Sequence, residues 1–131
     1  MKYLITESQK NNLKVLLKQL IRSKGIQIAF SSVGGKDKFF EIMDINSPME
    51  FLHLFDDLEQ VQSEEEPDWT LYRYEPKRNL MIYERKYDYV FINYEEIWKP
   101  LLDVGLFNPD IKELIKEWLS EVYNLRGYTS L

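Results

Sequence analysis

The spacing of hydrophobic residues changes at Trp69, and this change limits the fold class. Before it, one stretch has the i, i+3, i+4, i+7, i+8 spacing of a buried helix face, namely Leu13, Leu16, Leu17, Leu20 and Ile21. After it, residues 70–74, 79–85 and 87–94 are rich in Tyr, Phe, Ile and Val and are separated by turn residues, which is typical of strands. Helices followed by a run of strands indicate an α+β fold.

Capping residues and glycines define the start of the chain. Thr6 and Gln9 have the spacing of a capping box and Gly25 is a natural stop, so we expect a helix over residues 7–24. In the stretch 26–30, Ile and Phe residues alternate with Gln and Ala, which is the period-two pattern of a strand. We therefore expect a short strand there.

The acidic middle of the chain is expected to be helical. Residues 39–45 place apolar side chains on one helical face, although the segment is also short enough for a strand. Ser47 can cap the next helix, and Pro48 suits the first turn of that helix. The helix should run to about residue 61. Residues 62–68 are then expected to form an exposed loop.

The remaining segments complete a sheet covered by helices. A helix is expected over 95–104, and another should begin at Asn108 and bury a stripe from Ile111 to Tyr123. We expect one domain over 1–131. Its antiparallel sheet is a three-stranded meander over 70–94, which short strands near 2–5 and 26–30 could extend, with about four to five helices packed mainly on one face.

Composition narrows the classes of function. The chain has no cysteine, which excludes disulfides, thiolate catalysis and sulfur-ligated metals. Its apolar runs are far shorter than the ~20 residues that a membrane helix requires. We therefore expect no membrane partner and a cytoplasmic location.

Two terminal segments resemble a group of viral proteins. Tyr3–Gln9 and Glu117–Gly127 are similar to small uncharacterised proteins of marine tailed bacteriophages. The resemblance implies a viral or environmental origin, and the cytoplasm in question would then be that of the host cell. It carries no activity and assigns no functional residue.

Charged residues are sorted along the chain. Residues 1–38 carry eight Lys and Arg against two acids, whereas residues 39–68 carry ten acids and no Lys or Arg. Opposed blocks of this kind indicate either an internal pairing of surfaces or two faces for partners of opposite charge. The sequence leaves both interpretations open.

The basic residues suggest a surface for nucleic acid. Basic residues recur every four positions along the first helix and form a basic ridge on one side of it. In the meander, aromatic and basic side chains alternate, as in sheets that stack nucleobases. The candidates are Lys10, Lys14, Lys18, Arg22, Tyr72, Arg73, Tyr74, Arg85 and Lys86. The net charge of −5 disfavours this interpretation.

The acidic residues suggest a protein partner. Seven acids fall within thirteen positions without one base, and such a segment can bind a basic protein surface or imitate a run of phosphates. The candidates are Asp56, Asp57, Glu59, Glu64, Glu65, Glu66 and Asp68.

Catalysis has little support in the sequence. His53 is the only histidine, and although Glu50 and Asp57 lie at i−3 and i+4 from it, a structural histidine is the simpler interpretation than a metal ligand. No cofactor, metal or enzymatic activity is predicted. We expect a non-catalytic protein-interaction module, with a nucleic-acid-binding module and a small virion or self-assembling structural component as alternatives.

Overall fold

The computed structural model describes residues 6–74, 78–106 and 110–125. Contacts divide the chain into two compact units, Met1–Ile45 and Asn46–Leu131. The described residues form six α-helices and one four-stranded antiparallel sheet, which confirms the α+β fold class with one strand and one or two helices more than expected. The single domain over 1–131 stays a prediction.

The first unit is built from three helices. They are α1 (Glu7–Lys24), α2 (Ile26–Ser32) and α3 (Lys36–Ile42). The predicted capping box is confirmed, because the Gln9 N–H donates to Thr6 Oγ1 and the Thr6 N–H donates to Gln9 Oε1, both at 3.1 Å. Gly25 ends α1 with a φ of 102°, a conformation that glycine adopts without steric cost.

The strand expected over 26–30 is wrong, because this segment is helix α2. Ile26, Ala29 and Phe30 are buried at the i, i+3, i+4 spacing of a helix, whereas Ile28 is 49% exposed. A segment of five residues is too short to distinguish the helical spacing of apolar residues from the alternating spacing of a strand. The chain also changes direction at Gly25.

Phenylalanine rings form much of the core of the first unit. Phe30 and Phe39 meet edge to face with ring centroids 5.0 Å apart, and Phe40 lies 6.0 Å from Phe39. From α1, Leu17 and Ile21 are buried. Leu16 was assigned to the same stripe but is 56% exposed, so the buried face of α1 is narrower than its sequence suggests.

The second unit opens with a helix that ends earlier than expected. The Ser47 cap is confirmed, since its Oγ accepts from the Glu50 N–H at 3.3 Å. However, α4 (Pro48–Leu52) passes into a 3₁₀ turn (His53–Phe55), and the chain then extends into strand β1 (Glu59–Gln62). The helix predicted to about residue 61 is wrong beyond this turn, because pairing with the next strand overrides local helix propensity.

The predicted meander is confirmed as β2 (Trp69–Tyr74), β3 (Arg78–Glu84) and β4 (Tyr89–Ile92), and β1 adds a fourth strand beside β2. The sheet order is β1-β2-β3-β4, and every pair is antiparallel. The possible strand near residues 2–5 lies outside the described residues.

One face of this sheet, called the inner face here, is covered. Its central side chains include Tyr72, Met81 and Val90, each 1% exposed. The 3₁₀ turn and the last helix pack on it, because the Tyr74 hydroxyl donates to the Leu54 carbonyl at 2.9 Å and the Tyr123 ring lies 4.7 Å from that of Tyr72.

The chain after the sheet is helical, as expected, but divided. A π-helical turn (Tyr94–Trp98) leads into α5 (Lys99–Asp103), and α6 (Ile111–Tyr123) follows. Most of the predicted stripe of α6 is buried, with Trp118 fully inaccessible. The predicted cap Asn108 lies outside the described residues.

Candidate protein-interaction site

The basic ridge of α1 is partly neutralised within its own unit. Lys10 Nζ and Lys14 Nζ each donate to one carboxylate oxygen of Asp44, at 2.7 and 2.8 Å. These hydrogen bonds lower the pKa of Asp44, and the bond to Asp44 raises the pKa of Lys10. Lys18 and Arg22 are exposed farther along the same helix. Two of the four ridge cations are therefore engaged by an internal acid.

Replacing Asp44 with asparagine tests these ion pairs. Asp44 has a φ of 58°, and asparagine tolerates this left-handed conformation. The pKa of Asp44 is lower in the folded protein than in the unfolded chain. The stabilisation from its ion pairs is therefore fully present above the unfolded-state pKa and is lost as the pH falls through the folded-state pKa. We expect D44N to lower the melting temperature slightly at neutral pH. The melting temperature of the variant should also change less than that of wild type as the pH is lowered. Melting curves from about pH 7 to about pH 2 check this; a pH-independent difference from wild type would contradict it.

The acidic segment divides into two parts with different roles. Asp56 supports the core, because its Oδ1 accepts from Trp118 Nε1 at 2.8 Å and its Oδ2 lies 3.1 Å from His53 Nδ1. Glu59 lies 3.9 Å from Arg73 Nε, and Asp57 is exposed in the turn before β1. Asp56 and Glu59 are thus engaged within the unit.

The side chains of Glu50, His53 and Asp57, whose spacing was weighed and disfavoured as a metal site, are not grouped around a common point. Glu50 accepts from the Asn46 N–H at 3.0 Å, and His53 turns to Asp56. Across residues 6–74, 78–106 and 110–125, no group of three carboxylate or imidazole side chains is placed to hold a metal ion.

The second part of the acidic segment is the acidic loop, residues 63–68 between β1 and β2. Its backbone closes on itself, because the Glu66 N–H donates to Ser63 Oγ at 3.1 Å and the Trp69 N–H donates to the Glu66 carbonyl at 3.0 Å. The Ser63 N–H in turn donates to the Trp69 carbonyl at 3.1 Å. The loop is therefore an ordered turn at the end of a strand pair.

Two side chains, one at the end of β1 and one in the turn after β3, hold the far side of this loop in place. Gln62 Nε2 donates to the Pro67 carbonyl at 2.7 Å, and Arg85 Nη2 donates to the same carbonyl oxygen. The Arg85 guanidinium also donates to Thr70 Oγ1 at 2.7 Å, while the Arg85 N–H donates to the Asp68 carbonyl at 2.8 Å. Arg85, which the sequence assigned to a nucleic-acid surface, is a positioning residue for the acidic loop.

Four carboxylates project from this fixed backbone. Glu64, Glu65, Glu66 and Asp68 are all exposed, and the loop carries no Lys or Arg. The position of these carboxylates in a loop was predicted, but the order of the loop was not, because the side-chain bonds from Arg85 span 15 and 18 residues. Neither Arg85 nor Gln62 carries a local signal that would have identified this role.

The tyrosines proposed to stack nucleobases are not on the surface. Tyr72 and Tyr74 are 1% and 3% exposed, and burial raises the pKa of the Tyr72 hydroxyl to about 12. Arg73 is half-buried next to Glu59, and Lys86 lies over the ring of Tyr87 at 5.2 Å. Assigning Tyr72 and Tyr74 to a stacking surface is therefore wrong, because the alternation of β2 directs both to the inner face.

The opposite face of the sheet, called the outer face here, carries an apolar row between charged residues such as Glu59 and Arg73. The strand register places Val61 beside Leu71, Leu71 beside Ile82 and Ile82 beside Phe91, so one apolar row crosses all four strands. Three members are half-buried, and Phe91 at the end of the row is 50% exposed. The sequence analysis did not identify this row, which depends on the register.

Comparison with known proteins adds no relative. No family model matches this chain, and no curated protein or solved structure is similar to it. Within the part of the chain that the structure describes, every helix is too short or too polar to cross a lipid bilayer.

Proposed function

We propose that this protein is a non-catalytic interaction module that binds a basic surface of a protein partner through the acidic loop. The observation that carries the proposal is the hydrogen bonding of Gln62 and Arg85 to the Pro67 carbonyl. It fixes the backbone from which Glu64, Glu65 and Glu66 project. In keeping with the phage resemblance, the module would be an accessory factor acting in the cytoplasm of a bacterial host.

An ordered acidic loop favours binding for two reasons. A loop that is already fixed loses less conformational entropy when a partner docks, so more of the interaction energy contributes to affinity. Adjacent carboxylates also reinforce each other's potential, which steers a basic partner and raises the association rate at low salt. The first effect depends on the hydrogen bonds that hold the loop, and the second depends on its charges.

Neutralising the loop tests the role of its charges. We expect E64Q/E65Q/E66Q to lose a partner that wild-type protein captures from host extract at about 50 mM salt. A carbodiimide reagent joins carboxylates to lysines in direct contact, so wild-type cross-links should map to residues 64–66. The matched control is E113Q/E117Q/E121Q, which removes the same charge from exposed positions on α6. Equal capture by the loop variant, or cross-links only elsewhere, would contradict the proposal.

Replacing Arg85 with methionine separates order from charge. The R85M variant keeps every carboxylate of the loop and removes a cation, so charge attraction alone predicts equal or tighter binding of a basic partner. A binding site that depends on the fixed loop predicts weaker binding, because the Pro67 and Thr70 contacts of the guanidinium are lost. Affinity measured by biolayer interferometry with the captured partner distinguishes the two outcomes.

A further inference from the structure

Three residues of the outer face lie in one row across the sheet. The register places Trp69 of β2 opposite Glu84 of β3, and Glu84 opposite Tyr89 of β4. Directly opposed residues of antiparallel strands direct their side chains to the same face, and Trp69 shares the face of Leu71, two positions along β2. Trp69, Glu84 and Tyr89 are called the outer-face site here. A carboxylate therefore lies between two aromatic side chains.

The spacing of this row suits a cation. Neighbouring strands lie about 4.8 Å apart, so the backbones that carry Trp69 and Tyr89 are separated by about 10 Å. A positive charge centred above Glu84 is then about 5 Å from either ring, which is within the ~6 Å range of cation–π attraction. One cation can thus contact the carboxylate and both aromatic rings.

The site is accessible from the side of β4. Tyr89 is 40% exposed, and its ring lies 6.1 Å from that of Phe91, which is 50% exposed. Trp69 and Glu84 are half-buried. Partial burial removes some of the water that screens a carboxylate, so an opposite charge placed beside Glu84 is attracted more strongly than at a fully exposed acid.

The two ends of the outer face differ in how their acids are neutralised. At one end, Glu59 Oε2 lies 3.9 Å from Arg73 Nε on the neighbouring strand. At the other end, no side chain in the described part of the chain forms an ion pair or a hydrogen bond with the Glu84 carboxylate. Arg85 bonds to the acidic loop and to β2, and Lys86 lies over an adjacent tyrosine ring. The charge of Glu84 is therefore available to a cation from outside.

The outer-face site adjoins the acidic loop. The Trp69 N–H donates to the Glu66 carbonyl at 3.0 Å, and the Trp69 carbonyl accepts from the Ser63 N–H at 3.1 Å, so Trp69 closes the loop. On β3, the residue after Glu84 is also joined to the loop, since the Arg85 N–H donates to the Asp68 carbonyl. A basic surface that binds the loop lies next to the site.

We propose that the outer-face site binds one arginine side chain of the basic partner. Arginine suits the site better than lysine, because its planar guanidinium stacks on aromatic rings and its paired N–H groups match a carboxylate. The guanidinium donates to Glu84 and packs between Trp69 and Tyr89. This assignment rests on the proposed function for the source of the arginine, and it adds the residue that anchors the partner.

The first test needs no partner. N-acetylarginine amide is titrated into isotope-labelled protein at about 50 mM salt and followed by nuclear magnetic resonance. We expect a millimolar dissociation constant, with shifts at the indole N–H of Trp69 and the backbone of Tyr89 and none at the buried Trp118. The matching lysine amide should bind at least about threefold more weakly. Unchanged Trp69 and Tyr89 signals, or equal binding of the two amides, would overturn the proposal.

The second test uses the captured partner. E84Q removes the charge and keeps the shape of the side chain, and Y89A removes one ring of the site. Each should raise the dissociation constant of the partner at least about fivefold. The matched controls are E121Q, an exposed acid on α6, and Y94A, a tyrosine that is 52% exposed, and both should bind as wild type does. Melting curves establish that all four variants fold.

The two tests separate the arginine site from the proposed function. If E64Q/E65Q/E66Q loses the partner while E84Q and Y89A both bind it as tightly as wild type, the arginine site is rejected and the role of the acidic loop remains. If the arginine amide shifts Trp69 but the loop variant captures the partner equally well, the proposed function fails and the arginine site remains.

Discussion

Replacing Trp118 with alanine is expected to lower the free energy of unfolding of the unit Asn46–Leu131 by about 3–5 kcal/mol. Trp118 is 0% exposed, and its ring meets Tyr123 edge to face with centroids 5.5 Å apart. Removing the indole leaves a large cavity and breaks its hydrogen bond to Asp56. A loss of this size is a large fraction of the stability of a small domain.

Urea unfolding followed by circular dichroism measures this effect. The control is L102A, which truncates an apolar side chain that is 37% exposed in the same unit and should lower stability by only about 1 kcal/mol. W118F keeps much of the buried volume but removes the bond to Asp56, so its loss should be intermediate. If W118A and L102A proved equally stable, the core described for this unit would be incorrect.

The elements predicted correctly are those with strong local signals. Helix α1 has a capping box and a terminal glycine, and α6 repeats its apolar stripe over several turns. These features act within a few residues, so they can be recognised without knowledge of the fold. The meander β2 to β4 was also predictable, because aromatic and β-branched segments alternate with turns.

The incorrect predictions concern segments that depend on distant partners. The stretch after the 3₁₀ turn becomes β1 because Val61 pairs with Leu71, a contact that the sequence around Val61 does not encode. Ile26 and Phe30 permit either a strand or a helix, and packing of their unit selects the helix. Such tertiary effects routinely outweigh local propensity.

The candidate site was predicted in composition but not in geometry. The carboxylates of the acidic loop were identified correctly as exposed, yet Asp56 from the same segment is bound to the core residue Trp118. Charge along the sequence does not distinguish these roles. Similarly, alternation in β2 assigns Tyr72 and Tyr74 to one face of the sheet but does not tell which face the helices cover.

Raising the pH above about 10 is expected to unfold the second unit, because its buried tyrosines resist ionisation. Burial raises the pKa of Tyr72 to about 12, and it raises the pKa of Tyr123 further still. Burial, together with a 2.5 Å hydrogen bond to Asp88, raises the pKa of Tyr83 to about 12. Each of these hydroxyls is protonated in the folded protein at a pH where the unfolded chain has begun to ionise.

The direction of the pH effect follows from these raised values. Below the ordinary tyrosine pKa of 10.0, both states are protonated and the stabilisation from the neutral hydroxyls is fully present. Between pH 10 and about 12 the unfolded chain loses protons while Tyr72 keeps its own, so stability falls as pH rises. Because several tyrosines contribute together, we expect a cooperative alkaline transition.

Tyrosinate absorbance and circular dichroism, recorded together from about pH 8 to about pH 13, measure this transition. Part of the absorbance change should coincide with loss of secondary structure. Y123F removes one of these hydroxyls and its 2.7 Å bond to the Phe55 carbonyl, so it should lower stability at neutral pH by about 1–3 kcal/mol and flatten the alkaline dependence. Y87F changes a tyrosine that is 58% exposed and should alter neither quantity. Complete ionisation near pH 10 with the secondary structure intact would show that these hydroxyls are not buried.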